Sequence, residues 1–186
     1  MQLAQGKTDD NGAFNLDVNQ PSAESVIYVV AQGGTPKAAA DKGANDAIAL
    51  LAVLGTTPPK KVTVNEFTTV ASAATCAQFL QGENLGGKPL GLRIAAGNVP
   101  DFVNLETGGY GVTIQAALNS GQTPTMANFA TLANLLAGCI TQVTPDACSN
   151  FFAAAASLMN RAGRFVPAVP PNRERPVFLA TNGEIC

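Results

Sequence analysis

Two hydrophobic periods divide the chain. From Thr8 to Val18 the turn formers TDDNG give way to alternation, with Phe14, Leu16 and Val18 on one side and Asn15 and Asp17 on the other. This is the pattern of a half-buried strand fed by a turn. A second strand is predicted at Ser25–Ala31, SVIYVVA, stopped by Gly33-Gly34, with Gln20-Pro21-Ser22 as the bend between the two. The pair predicts an antiparallel hairpin, which is marginal in water and has to rest on another layer.

Beyond Gly34 the period becomes helical. AIALLAVL, Ala47–Leu54, predicts a helix capped by Asn45 or Asp46 and closed by Gly55, with Pro58-Pro59 blocking its return. KVTV, Lys61–Val64, predicts a short strand leading into Asn65, a good N-cap. The helix expected from Glu66 to about Gln81 carries Phe67, Val70, Ala74 and Gln78 on one stripe, with Ala73, Ala77 and Leu80 beside it. Further helices are predicted over Pro89–Gly97, with a break near Pro100 and another turn through Leu105, and then over Thr125–Ile140 and Asp146–Asn160. The last two each follow a Thr-Pro pair. Phe129, Leu132, Leu136 and Cys139 or Ile140 mark the buried face of the first, and Cys148, Phe152, Ala155 and Met159 that of the second. After Gly163 a tail with prolines and arginines shows no period and predicts a linker or a surface strap. The expected architecture is α+β, mainly α: an N-terminal β hairpin (1–35) packed on a compact bundle of four to six helices (36–163), with a Pro-rich tail (164–186).

Composition narrows the chemistry. Charged residues make up 13% of the 186 and the net charge is -2. No single-signed field exists to hold nucleic acid, and the longest apolar run is far short of the roughly 20 residues that span a bilayer. The chain has no histidine, which removes Ser-His and Cys-His nucleophilic machinery and His-based zinc sites. Carboxylate, lysine, hydroxyl and thiol chemistry are left. No cofactor or metal is expected: TDDNG is read as a turn, because the later ligands of a calcium loop are missing.

Paired carboxylates can hydrolyse glycosides without histidine, so Glu66, with Asp101 or Glu106 as partner, is the candidate catalytic set if the protein is an enzyme. Against this stands the simpler role of Glu66 as an acidic residue in the first turn of a helix. Ser72 and Lys88 lack the SxxK spacing of a Ser-Lys pair. The four cysteines, Cys76, Cys139, Cys148 and Cys186, suit a disulfide framework in an oxidising compartment. Cys139 and Cys148 fall at facing helix ends and are expected to pair, two buried free thiols or a reactive thiol being the alternatives. Cys186 either staples the tail to Cys76 or marks only where the chain was cut. MQLAQGKTDD has neither region of a signal peptide, so an exported protein would carry its signal elsewhere.

The segment T-D-x-x-G-x-F-x-L, formed by Thr8, Asp9, Gly12, Phe14 and Leu16, resembles the closing hairpin of carboxypeptidase regulatory-like β-sandwich domains. Over about residues 20 to 160, ANDAIALLAVLG, KVTVNEFTTVASAATCAQFL and GLRIAAGNVPDFVNLETGGYG are similar to a helical region of large exported bacterial proteins, where it stands between such a β module and NHL-type propeller repeats. These resemblances imply a secreted or cell-surface location. The expected function is a non-catalytic interaction or spacer module whose partner is an extracellular molecule or a neighbouring domain. The rival expectation is a small extracellular hydrolase of carbohydrate or ester polymers.

Overall fold

The apolar run at Ala47–Leu54 supplies a strand where its composition predicts a helix. The computed structural model describes residues 1–19, 22–82, 84–144, 146–151, 153 and 177–181, the last as main chain only. Strands β1 (Gln2–Gly6), β2 (Ile27–Gln32), β3 (Ala49–Gly55) and β6 (Val177–Thr181) form one sheet in the order β1-β6-β2-β3, every neighbouring pair antiparallel. A two-stranded ribbon joins β4 (Leu80–Gln81) to β5 (Asn84–Leu85). Helices α1 (Glu66–Cys76), α2 (Pro89–Gly97), α3 (Val99–Phe102), α4 (Val112–Gln115) and α5 (Thr125–Ile140) complete the main elements. The fold class is α+β, mainly α.

Three sequence expectations are corrected. Ala and Leu favour helix, but the run is buried on both faces: Leu51 and Val53 enter the core under the helices, while Ala52 and Leu54 enter a second cluster on the far side. A strand buried on both sides needs continuous apolar sequence, so tertiary context overrides helix propensity. Phe14–Val18 keeps its alternation, with Phe14, Leu16 and Val18 packed against the far cluster, yet it joins no sheet. The partners of β2 are β3 and β6, so the expected hairpin does not form. Finally, residues 177–181 of the Pro-rich tail are not a surface strap. They lie between β1 and β2, so the sheet draws strands from all three sequence segments.

The helical predictions hold better. Bounds at Pro89–Gly97 and Thr125–Ile140 agree with α2 and α5, and Pro100 begins a new turn in α3. Residues 147–151 and 153 are helical as expected; the rest of the predicted Asp146–Asn160 helix lies outside the described residues. Helix α1 is shorter than predicted and buries a different stripe, made of Thr68, Ala71, Ser72 and Cys76.

That polar stripe has a structural role. β3 is an edge strand, and its outward N–H groups would face water or a foreign strand. α1 closes this edge: the Leu51 N–H donates to Thr69 Oγ1 at 3.0 Å and the Val53 N–H to Ser72 Oγ at 2.9 Å. On the other side of α1, Phe67, Tyr110, Phe102 and Phe129 pack in a chain of ring contacts between 4.9 and 6.2 Å, tying α1 and α3 to α5. Such pairs add about 0.5–1.5 kcal/mol beyond burial.

If the hydroxyls seal the edge, Ser72→Ala and Thr69→Val each strand a main-chain donor and should lower unfolding free energy by about 1–3 kcal/mol. Thr75→Val removes a hydroxyl whose partners, the Ala71 and Ser72 carbonyls and Cys76 Sγ, all lie within the same helix, and should change it by less than about 0.5 kcal/mol. Urea unfolding of the three variants measures the contrast.

Candidate functional site

Asn65 starts α1 and ties it to the loop that borders a groove on the surface. Its side chain accepts from the Thr68 N–H at 3.0 Å, while Thr68 Oγ1 accepts from the Asn65 N–H at 2.9 Å, a reciprocal capping box. Asn65 Nδ2 donates in addition to the Gly108 carbonyl at 3.0 Å. Thr63 adds two bonds to the same loop, its N–H to the Leu105 carbonyl and its hydroxyl to the Glu106 carbonyl, both 2.8 Å. The loop is self-supporting: Asn104 Oδ1 accepts from the Glu106 and Thr107 N–H groups, and Val103 bridges Tyr110. Gly108, at φ 71°, takes the left-handed turn, and a Cβ there would strike Thr63 and Asn65.

Beside this loop lies an open groove of about 370 Å³, walled mainly by Pro59, Pro100, Val103, Leu105 and Val112, with Asn104 and Glu106 as its polar side chains. Glu106 is therefore the member of the Glu66, Asp101 and Glu106 set that reaches it. Exposed Asp101 accepts from Thr113 Oγ1 at 2.7 Å, and Glu66 occupies the first turn of α1; neither lines the groove. Glycoside hydrolysis needs two carboxyl groups flanking the bond, and among the described residues the groove offers one. Ser72 is fully buried with its hydroxyl committed to Val53, and Lys88 stands at the N-cap of α2, so no Ser-Lys pair is built. Among the described residues no His, Cys, Asp and Glu cluster could hold a metal.

The expected disulfide between Cys139 and Cys148 is present, with Cα atoms 4.4 Å apart. Sequence reading missed what it anchors. Asn45 Nδ2 donates to the carbonyls of Cys139 and Ile140 at 3.1 and 2.9 Å, and Lys42 Nζ donates to those of Thr141 and Gln142. An amide and an ammonium group from the β2–β3 connection thus satisfy the orphan carbonyls at the C-terminus of α5, where a cation also meets the negative end of the helix dipole. The residue type at position 45 was legible as a cap, but of the wrong helix end. Cys76 is a buried free thiol, and Cys186 lies outside the described residues.

Comparison with family models, curated proteins and solved structures yields no match.

Two predictions arise. Reducing Cys139–Cys148, or replacing both by Ser, should cost about 2.5–3 kcal/mol on the chain-entropy model; guanidinium unfolding with and without reductant, in a Cys76→Ala background, measures it. The second concerns alkaline pH. Burial raises the Cys76 thiol above its ordinary 9.0 and the Tyr28 phenol above its ordinary 10.0, opposed in part by bonds from Thr75 and the Leu85 N–H. Below about pH 9 both folded and unfolded chains keep these protons, so stability is flat with respect to them. Above it the unfolded chain releases protons that the fold retains, and stability falls as pH rises. The melting temperature should drop between about pH 9 and 11, and less steeply in Cys76→Ala and Tyr28→Phe.

Proposed function

We propose that the chain is a non-catalytic interaction module of a secreted or cell-surface bacterial protein, held to the side of its host chain. The observation carrying this reading is the pairing of β1 with β6, in which Gln2 faces Ala180. Chain arriving at β1 and chain leaving β6 share one end of the sheet, about 5 Å apart. A spacer works by separating its two ends, and this geometry separates them hardly at all, so display of a surface is favoured over added reach. The Cys139–Cys148 bond fits an oxidising compartment. The low charge density of 13% fits recognition through shape and local polar groups more than through a broad field.

The rival reading, hydrolysis of carbohydrate or ester polymers, would draw on Glu106 in its groove, with Asp101 and Glu66, which lie outside its lining, as the other carboxylates. Two measurements separate the readings. Energy transfer between fluorescent proteins fused to both ends should be high, as for a pair joined by a short linker; low transfer would mark a length-adding spacer. A panel of polysaccharides and polymeric esters should show no turnover. Turnover abolished by Glu66→Gln or Glu106→Gln in a folded protein would replace the module with an enzyme.

A further inference from the structure

Phe14–Asn19 is a strand without a sheet. Its positions alternate, Phe14, Leu16 and Val18 partly buried and Asn15, Asp17 and Asn19 exposed, the alternation of extended chain. The inner three side chains pack on the far face of the sheet with Ile27, Val29, Ala52 and Leu54. Leu16 lies over β1, close enough that a Cβ on Gly6 would stand 2.8 Å from Leu16 Cδ2. The segment begins at a fixed turn, where Asp9 Oδ1 accepts from the Asn11 and Ala13 N–H groups at 2.8 and 2.9 Å. From Phe14 to Asn19, however, no described residue pairs with its main chain. A held strand with an unpaired row of donors and acceptors is a template for a further strand.

Resting on the module reading above, we propose that Phe14–Asn19 binds an extended peptide segment by strand addition, and that the segment alternates apolar with basic side chains. The apolar side of the incoming strand would lie on the same face as Leu16, next to Leu3 and Ala4 of β1, which are only partly covered. Its other side meets the exposed row that contains Asp17, with Asp9 and Asp10 at the entrance. Asp10 and Asp17 have no ion-pair or hydrogen-bond partner among the described residues, and the Arg93–Glu24 bridge at 2.7 Å lies elsewhere. Opposite charges across a strand pair stabilise it and like charges oppose it. The same charges argue against a second copy as occupant, since antiparallel self-pairing brings two Asp17-bearing rows together.

The test titrates the full, isotope-labelled chain with a short peptide alternating valine and lysine and, separately, with its valine and glutamate counterpart, following main-chain amide signals. The lysine peptide should shift the amides of residues 14–19 and bind at least about tenfold more tightly than the glutamate peptide. Asp17→Lys should reverse that preference. Asn15→Pro and Asp17→Pro remove main-chain donors while leaving the inner side chains in place, and each should abolish binding with the other amide signals unchanged. Equal binding of the two peptides, shifts confined to other residues, or binding that survives both proline variants would overturn the inference. Concentration-dependent dimerisation through residues 14–19 would do so too, by naming a second copy as the occupant. If neither peptide binds while end-to-end energy transfer stays high, strand addition falls and the side-displayed module stands.

Discussion

Everything else in the structure depends on how the outer edge of β3 is closed. A seven-residue apolar strand at the rim of a sheet is an aggregation hazard, and the usual protections are charges, prolines or a covering element. β3 carries no charge and no proline. α1 covers it and, through Thr69 and Ser72, completes two of its hydrogen bonds. That choice fixes the orientation of α1: the hydroxyls must face β3, so Phe67 turns toward Tyr110 and Phe129, and the capped start of α1 at Asn65 is set against the Asn104–Gly108 loop. The position of the groove is a consequence of the same constraint.

The chain was legible where local signals and tertiary demands agree. Pro89 with Gly97, and Thr125 with Ile140, bound helices that are amphipathic and end as helices should. It was illegible where burial on two faces removed the period: Ala47–Leu54 has the residues of a helix and the continuous apolarity of a buried strand, and periodicity cannot separate these. The stripe of α1 was misread for a related reason. Its core-facing positions include Thr68 and Ser72, both fully buried, and a search for apolar residues passes over hydroxyls committed to main-chain groups, Thr68 to the Asn65 cap and Ser72 to the Val53 N–H of β3. Their spacing beside Thr69 was the available signal. Strand β6 could not be placed from sequence because pairing partners distant in the chain leave no local mark.

Of the candidate site, the residue types were readable and their meeting was not. Glu106 reaches the groove because Thr63 and Asn65 hold its loop by three hydrogen bonds, none of which spacing encodes. The cysteine pair was readable because it is local, nine residues apart. Its reach was hidden: the turn it closes presents four carbonyls to Lys42 and Asn45, so one covalent link steadies the end of α5 and the connection between β2 and β3 together. Gln32, the last residue of β2, is buried with neither amide atom hydrogen-bonded among the described residues. A buried polar group in that state costs about 1–3 kcal/mol, and nothing in the structure accounts for its presence.

The sheet closed at β3 ends on its other side at β1, and beside β1 the extended chain Phe14–Asn19 leaves its main chain unpaired among the described residues. The most direct test of the account is native-state amide exchange at Leu51 and Val53. Both groups point away from β2, so only the α1 hydroxyls can protect them. Exchange as slow as that of the β2 amides is the predicted result. Exchange at the rate of an open strand edge, with β2 still protected, would contradict it and leave the orientation of α1 without a cause.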